Sequence, residues 1–192
     1  QFVWADRPVS GKVADAAAAL DRPLPSEGEY VSELNLAGRA WIAEWAERLE
    51  KGAMLLVDYG YPRAEYYLDS RSTGTLLCYF RHHAHGDPFL WPGLNDITAF
   101  VDFTAAAEAG FAAGLDILGY TDQANLLFNC GVLACLARRA PEDSVDYIRA
   151  AKAVQRLTGP HEMGELFKVI AMGRGIEQPL IGFLRGDRLH AL

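Results

Sequence analysis

The sequence has none of the features typical of proteins that cross membranes or bind nucleic acid. No apolar run approaches the ~20 residues that span a bilayer. Its 18 Lys and Arg residues face 25 Asp and Glu residues, and the net charge is −7. The cations are scattered, whereas binding to a nucleic-acid backbone needs a concentrated basic face. We therefore expect no membrane insertion and no nucleic-acid partner.

Cysteine is also scarce, and no CxxC motif occurs. The three thiols, Cys78, Cys130 and Cys135, form an odd set. This count predicts reduced cysteines in a cytoplasmic compartment. The run His82-His83-Ala84-His85 fits no common zinc template, so we expect no metal.

Half of the residues are apolar, which is enough for one domain with a real core across residues 1–192. The pattern alternates helices with strands, which indicates an α/β fold. Ser32–Leu49 has helical spacing and includes Trp41 and Trp45 as predicted core residues. Ala53–Gly60 lacks alternation, as expected of a strand buried on both faces of a parallel sheet. Further predicted elements are the strands Phe2–Trp4, Leu115–Tyr120, Phe167–Met172 and Leu180–Leu184 and a helix over Thr121–Leu136.

The densest group of titratable side chains lies between Leu76 and Phe103. It contains His82, His83, His85, Asp87, Asp96 and Asp102. Histidine titrates near neutral pH, so a cluster beside carboxylates suggests proton transfer in a pocket. The alternative is a loop whose histidines bind backbone carbonyls, and the residues alone leave both interpretations open. Helix capping is favoured for Asp102.

Asp58-Tyr59-Gly60 ends the predicted buried strand. Polar residues at the carboxyl end of such a strand lie where open α/β sheets bind ligands. A carboxylate that binds backbone amides in the following turn explains the same sequence equally well.

Six linked motifs together resemble one family, over about residues 30–175. They are YVSELN, LLVDYG, GTLLCYFRHHAHGDPF, PGLNDITAFVDF, GYTDQANLLFNCG and PHEMGELFKVIAMGRG. In this order they are similar to the MidA-like S-adenosylmethionine-dependent methyltransferases. The resemblance implies a Rossmann-like class I methyltransferase fold with an inserted substrate-side segment. It also implies S-adenosyl-L-methionine as methyl donor and a protein arginine as the leading substrate.

The resemblance further implies roles for individual residues. His82, His85, Asp96 and Asp102 match the insertion motif, and the first three become candidate catalytic groups. Asp58, Tyr59 and Gly60 match the end-of-strand motif and become candidate cofactor-binding residues. In place of the histidine that often precedes Val-Asp-Phe in this family, the chain has Phe100.

No glycine-rich loop lies between a strand and a helix, and the chain begins at Gln1. We therefore expect a carboxyl-terminal part of a larger methyltransferase domain whose donor-binding half is missing. A second chain or a dimer is expected to cover the open sheet edge. The alternative function is a non-catalytic assembly or partner-binding fragment, inactive without the amino-terminal half.

Overall fold

The structure is a computed structural model that describes residues 2–20, 28–139 and 144–192. Residues 1, 21–27 and 140–143 of the predicted domain lie outside this description. The helices are α1 (Gly11–Ala18), α2 (Leu36–Arg48), α3 (Arg63–Tyr66), α4 (Phe103–Ala112), α5 (Gln123–Asn129), α6 (Val132–Ala137), α7 (Val145–Thr158) and α8 (Met163–Leu166). The strands are β1 (Gly52–Tyr61), β2 (Leu77–Phe80), β3 (His83–His85), β4 (Asp96–Thr98), β5 (Val101–Asp102), β6 (Asp116–Asp122) and β7 (Phe167–Arg174).

The main sheet has the strand order β5–β1–β7–β6. β7 runs antiparallel to both neighbours, and β5 is parallel to β1. Four consecutive residues of β7, Val169 to Met172, are fully buried. Such an unbroken apolar strand can lie only at the centre of a sheet that is covered on both faces.

Two apolar cores cover the two faces of β7. On one face, α2 and α4 contribute Ile42 and Phe103, which belong to the same cluster as Ile170 and Met172. On the other face, Phe183 packs with Val169 and Ala171. The alternation of side chains along β7 therefore divides one strand between two cores.

β1 differs from the prediction of a strand buried on both faces among parallel neighbours. Its long partner is the antiparallel β7, and its parallel pairing with β5 involves only Gly60 and Tyr61. Leu55, Val57 and Tyr59 are 52%, 44% and 40% exposed. Unlike β7, β1 therefore has one apolar face that remains about half exposed.

The carboxyl-terminal end of α2 follows the prediction, but the helix begins at Leu36, four residues after the predicted start at Ser32, and its core residues also differ. The side chain of Asn35 caps the helix by accepting a hydrogen bond from the Gly38 N–H at 2.7 Å. The prediction that Trp41 and Trp45 are core residues is wrong, because they are 47% and 50% exposed. Ile42 and Ala46, one position further along the helix, make up the buried stripe instead.

Three other predicted elements need correction. The helix over Thr121–Leu136 is divided into α5 and α6, because Gly131 adopts a left-handed φ of +82° between them. Leu180–Leu184 contains a 3-10 turn instead of a strand, and Phe2–Trp4 forms no strand. The strands over Leu115–Tyr120 and Phe167–Met172 are confirmed, as β6 and β7.

Gly60 is predicted to tolerate no side chain. A Cβ there would lie 2.2 Å from the Val101 carbonyl oxygen and 2.8 Å from the Phe103 ring. We expect Gly60→Ala to lower the free energy of unfolding by about 1–3 kcal/mol, because the β1–β5 contact must open. Urea denaturation measures this loss. Gly86→Ala is the matched control, since nothing lies within 4 Å of its Cβ position, and an equal loss there would contradict the steric explanation.

Candidate active site

The histidine-rich segment folds into a small antiparallel sheet of its own. β2 lies in the middle, between β3 and β4. The β2–β3 connection is the two-residue turn Arg81–His82, with φ of +48° and +67°. Positive φ at both central positions is the type I′ arrangement, which Asn-Gly usually fills. Arg and His rarely adopt this conformation, and it costs them conformational energy.

The register of this sheet decides which predicted residues share a face. Tyr79 pairs with Asp96, whereas Cys78 pairs with both Ile97 and His85. Because side chains alternate along a strand, Asp96 lies on the Tyr79 face and His85 on the Cys78 face. The small sheet therefore separates two of the predicted catalytic residues.

A cleft of about 680 Å³ lies between the Tyr79 face and the carboxyl end of β1. We call it the hairpin cleft. Its lining residues are Tyr59, Leu77, Tyr79, Arg81, His82, Asp96, Thr98, Phe100 and Leu166. It thus combines aromatic rings with two basic side chains and one carboxylate.

Aromatic stacking supports the floor of this cleft. The Tyr59 ring lies 6.0 Å from that of Phe100 and 4.0 Å from that of Phe167. Tyr61 continues the stack at 5.6 Å from Phe100. The Cζ atom of Arg71 lies 4.3 Å from the centre of the Tyr61 ring. This aromatic cluster therefore already binds one guanidinium group by a cation–π contact.

The structure brings together His82, Asp96 and Tyr59, and it places the other predicted residues elsewhere. His85 is half-buried, and its Nε2 lies 3.2 Å from the Asn95 Oδ1. Asn95 also donates hydrogen bonds to the carbonyls of Leu90 and Trp91. His85 thus contacts the residue that holds the β3–β4 loop.

Glu33 is a structural residue that the sequence patterns did not reveal. Its carboxylate accepts hydrogen bonds from the backbone N–H groups of Thr75 and Leu76 at 2.8 and 2.9 Å. The Thr75 hydroxyl and the Tyr66 hydroxyl also donate to it, at 3.0 and 3.1 Å. Glu33 therefore fixes the start of the inserted sheet to the body of the fold, a contact across 42 residues that no local pattern signals.

Asp102 is a helix cap, as predicted. Its Oδ1 accepts from the Ala105 N–H at 3.0 Å at the start of α4. Its Oδ2 lies 3.7 Å from the Nε of Arg63. The Arg63 guanidinium also forms a bidentate ion pair with the Glu108 carboxylate, with N···O distances of 2.5 and 2.7 Å. Burial raises the pKa of Asp102, and the Ala105 N–H and the Arg63 charge oppose that shift.

Buried tyrosines around this network predict alkaline sensitivity. Burial raises the pKa of Tyr67 to about 12, and the charge of Asp102 adds to the shift. The native state then keeps a proton that the unfolded state loses near pH 10, so stability falls as pH rises from 10 to 12. We expect Tyr67 to contribute about 2 kcal/mol to this loss.

The measurement is the free energy of unfolding between pH 9 and 11.5. Tyr67→Phe should reduce the fall of the unfolding free energy with pH above pH 10, whereas Tyr147→Phe on α7 should leave this pH dependence unchanged. Equal slopes in the wild type and Tyr67→Phe would contradict the prediction.

The described residues contain neither a metal-binding cluster nor a membrane-spanning helix. No group of three or more His, Cys, Asp or Glu side chains in these ranges could hold a metal ion. No helix within them is long and apolar enough to span a bilayer.

Known proteins identify the family. A family model of S-adenosyl-L-methionine-dependent methyltransferases matches residues 1–121, more than half of the chain. The chain belongs to this family. The predicted resemblance and methyl donor are thereby confirmed for the family.

Two solved structures from Burkholderia thailandensis match the whole of this chain. An uncharacterized protein has a TM-score of 0.93 at 50% identity, and a protein bound to S-adenosyl-homocysteine has a TM-score of 0.92 at 48% identity. The chain covers 50% and 49% of their respective lengths. Together with the mixed sheet, these matches confirm the α/β, Rossmann-like methyltransferase fold.

The curated relatives are named as protein arginine methyltransferases. The mitochondrial protein arginine methyltransferase NDUFAF7 homolog of Drosophila melanogaster is 31% identical over 179 residues, which are 86% of this chain and 38% of that protein. The mitochondrial protein arginine methyltransferase NDUFAF7 of Rattus norvegicus is 31% identical over 139 residues, 68% of this chain and 29% of the rat protein. The chain thus spans half or less of the length of each of these methyltransferases.

The residues predicted to bind the donor do not face one pocket. Tyr59 lines the hairpin cleft, whereas Asp58 lines a separate depression of about 430 Å³ beside α2. Gly60 is buried against Val101. Asp58, Tyr59 and Gly60 therefore do not share one donor pocket.

Proposed function

We propose that this chain provides the acceptor side of a methyltransferase that acts on an arginine side chain of a protein. The observation that carries the proposal is the hairpin cleft, which combines the stacked rings of Tyr59 and Phe100 with the carboxylate of Asp96. Aromatic faces and a carboxylate are the groups that recognise a guanidinium. The names of the curated relatives support the same substrate.

Each residue has a distinct role in this proposal. Asp96 accepts hydrogen bonds from the guanidinium and fixes its orientation, and the rings of Tyr59 and Phe100 cover its planar face. His82 accepts the proton that the guanidinium loses when a nitrogen becomes methylated. A bound S-adenosyl-L-methionine would supply the methyl group, and the residues of the cleft would hold the acceptor nitrogen in position for its transfer. His85, on the opposite face of the small sheet, holds the loop through Asn95.

We also propose that this chain is the carboxyl-terminal half of the domain and that another polypeptide segment packs on β1. Gly52 to Tyr59 have no hydrogen-bonded strand on the edge that faces away from β7, within the described residues. The exposed side chains of Leu55 and Val57 lie on this same strand. An open edge with an apolar face is a typical surface for strand pairing.

The matched proteins, at least twice as long, support an occupant from the other half of the family fold. Asp58 lines the same depression as Leu55 and Val57, so in this proposal it lies next to that occupant. The cytoplasmic location predicted from the reduced thiols stays a prediction, because the fly and rat relatives are named as mitochondrial.

The test is donor turnover by the full-length parent protein with an arginine-containing peptide. We expect methylated peptide from the wild type, a loss of about 10²-fold in His82→Ala, and near-normal turnover per folded molecule in His85→Ala. Absence of methylation by the wild type would overturn the arginine proposal, and an unchanged rate in His82→Ala would overturn the proton-acceptor role.

Calorimetry separates this proposal from a non-catalytic partner-binding role. The isolated chain should bind S-adenosyl-L-methionine weakly or not at all, and the full-length parent should bind it. If the parent also fails to bind, the open β1 edge favours the non-catalytic function.

A further inference from the structure

Arg81 brings into the hairpin cleft a charge that the described chain leaves unpaired. Its guanidinium lies 5.4 Å from the ring of the neighbouring Phe80, and none of the described carboxylates forms an ion pair with it. The carboxylate of Asp96, across the same cleft, likewise forms no ion pair with any of the described residues. One cleft thus presents a free cation and a free carboxylate.

The backbone that carries Arg81 is unfavourable for it. Arg81 and His82 occupy a turn with positive φ at both positions, and the side chains of both line the cleft. Asn-Gly would form the same turn without this cost. Strained conformations of this kind persist where the side chains serve a function. The strain and the unpaired charge are independent observations, and both point to a role for Arg81.

We propose that Arg81 is a specificity-determining residue that binds an acidic side chain of the protein substrate, close to the arginine that enters the cleft. This inference rests on the proposed function, since it concerns the same cleft. A guanidinium approaching Asp96 also approaches Arg81, and like charges repel. An acidic neighbour on the substrate removes this repulsion and forms a charge-assisted pair with Arg81. Arg81 therefore selects substrates with mixed charge and disfavours purely basic ones.

The experiment measures peptide binding to the full-length parent protein by fluorescence anisotropy at low salt. Two labelled nine-residue peptides each carry one central Arg in a Gly/Ser background. The first has Glu two positions before and two positions after the Arg, and the second has Gln at the same two positions. We expect the wild type to bind the Glu peptide about 2–5-fold more tightly than the Gln peptide. Arg81→Gln should abolish this preference, and the control Arg149→Gln on α7 should keep it.

Three results overturn the proposal. They are equal binding of both peptides by the wild type, no measurable binding of either, and an unchanged Glu preference in Arg81→Gln. A fourth concerns the carboxylate of the donor: if S-adenosyl-homocysteine displaces the Glu peptide from the wild type but not from Arg81→Gln, Arg81 binds the donor instead. Because none of these readouts requires methyl transfer, failure of turnover in the parent would overturn the proposed function separately.

A variant of the Arg81–His82 turn tests whether its strained backbone serves to present Arg81 to the substrate. The double variant Arg81→Asn with His82→Gly should form the same turn without strain, so its melting temperature should rise by about 2–6 °C. It should also lose the Glu preference. A lower melting temperature, or a retained preference, would show that the turn does not serve to present Arg81.

Discussion

Asp96→Asn is expected to lower kcat/KM for methylation of an arginine peptide by about 10²-fold in the full-length parent protein. Asn keeps the shape of the side chain and the pairing of β4 with Tyr79, so the fold is maintained. It removes the negative charge that holds the guanidinium and replaces one acceptor oxygen by a donor. The guanidinium then loses a charge-assisted contact in the cleft, which raises the barrier by about 2.7 kcal/mol.

Steady-state kinetics with varied peptide and varied donor concentrations make this test specific. The KM for the peptide should rise, and the KM for the donor should stay within about twofold. Asp87→Asn is the matched control in the same segment, because the Asp87 Oδ1 only caps a turn by accepting from the Phe89 N–H at 2.9 Å. Equal losses in the two variants would contradict a specific role for Asp96.

Glu33→Ala is expected to cause a large loss of stability, about 3–5 kcal/mol in the free energy of unfolding. The substitution leaves two backbone N–H groups, at Thr75 and Leu76, without their acceptor. The Tyr66 hydroxyl loses one acceptor but keeps the Phe100 carbonyl oxygen at 3.1 Å. Each unsatisfied buried group costs about 1–3 kcal/mol. The start of the inserted sheet would also separate from the body of the fold, so the hairpin cleft should lose its shape.

Urea denaturation and hydrogen exchange measure the two effects. Glu33→Gln keeps one acceptor oxygen and should lower the free energy of unfolding by about half as much. Glu29→Ala, at an exposed position, should lower it by less than ~0.5 kcal/mol, as is usual for surface substitutions. Exchange should accelerate first in residues 75–98 of the Glu33→Ala protein. Uniform acceleration across the main sheet would contradict a local anchoring role.

The sequence correctly predicted the elements that depend on local interactions. The cap at Asp102 was predicted from a residue type that binds the first free N–H groups of a helix, and its side chain accepts such a bond. The strands β1, β6 and β7 were found from short apolar runs. The linked motifs identified the family, because six motifs in a fixed order carry far more information than the periodicity of any one element.

Prediction failed where side-chain burial depends on distant neighbours. Trp41 and Trp45 have the spacing of a core stripe, yet the position of α4 decides that Ile42 and Ala46 are buried instead. Leu55 and Val57 were predicted to be buried in a strand covered on both faces, yet they are 52% and 44% exposed. Periodicity shows which residues share a face, but it does not show what packs against that face.

The candidate site also has features that the sequence predicts and features that depend on tertiary contacts. The sequence by itself determined that histidines, carboxylates and aromatic residues are concentrated between Leu76 and Phe103, and that this segment belongs to a methyltransferase. Only the tertiary structure decided that Asp96 and His82 share a cleft with Tyr59 while His85 does not. The reason is register, because the pairing of Cys78 with His85 and of Tyr79 with Asp96 places His85 and Asp96 on opposite faces. Glu33, which lies 42 residues before Thr75, then fixes the start of that small sheet to the body of the fold.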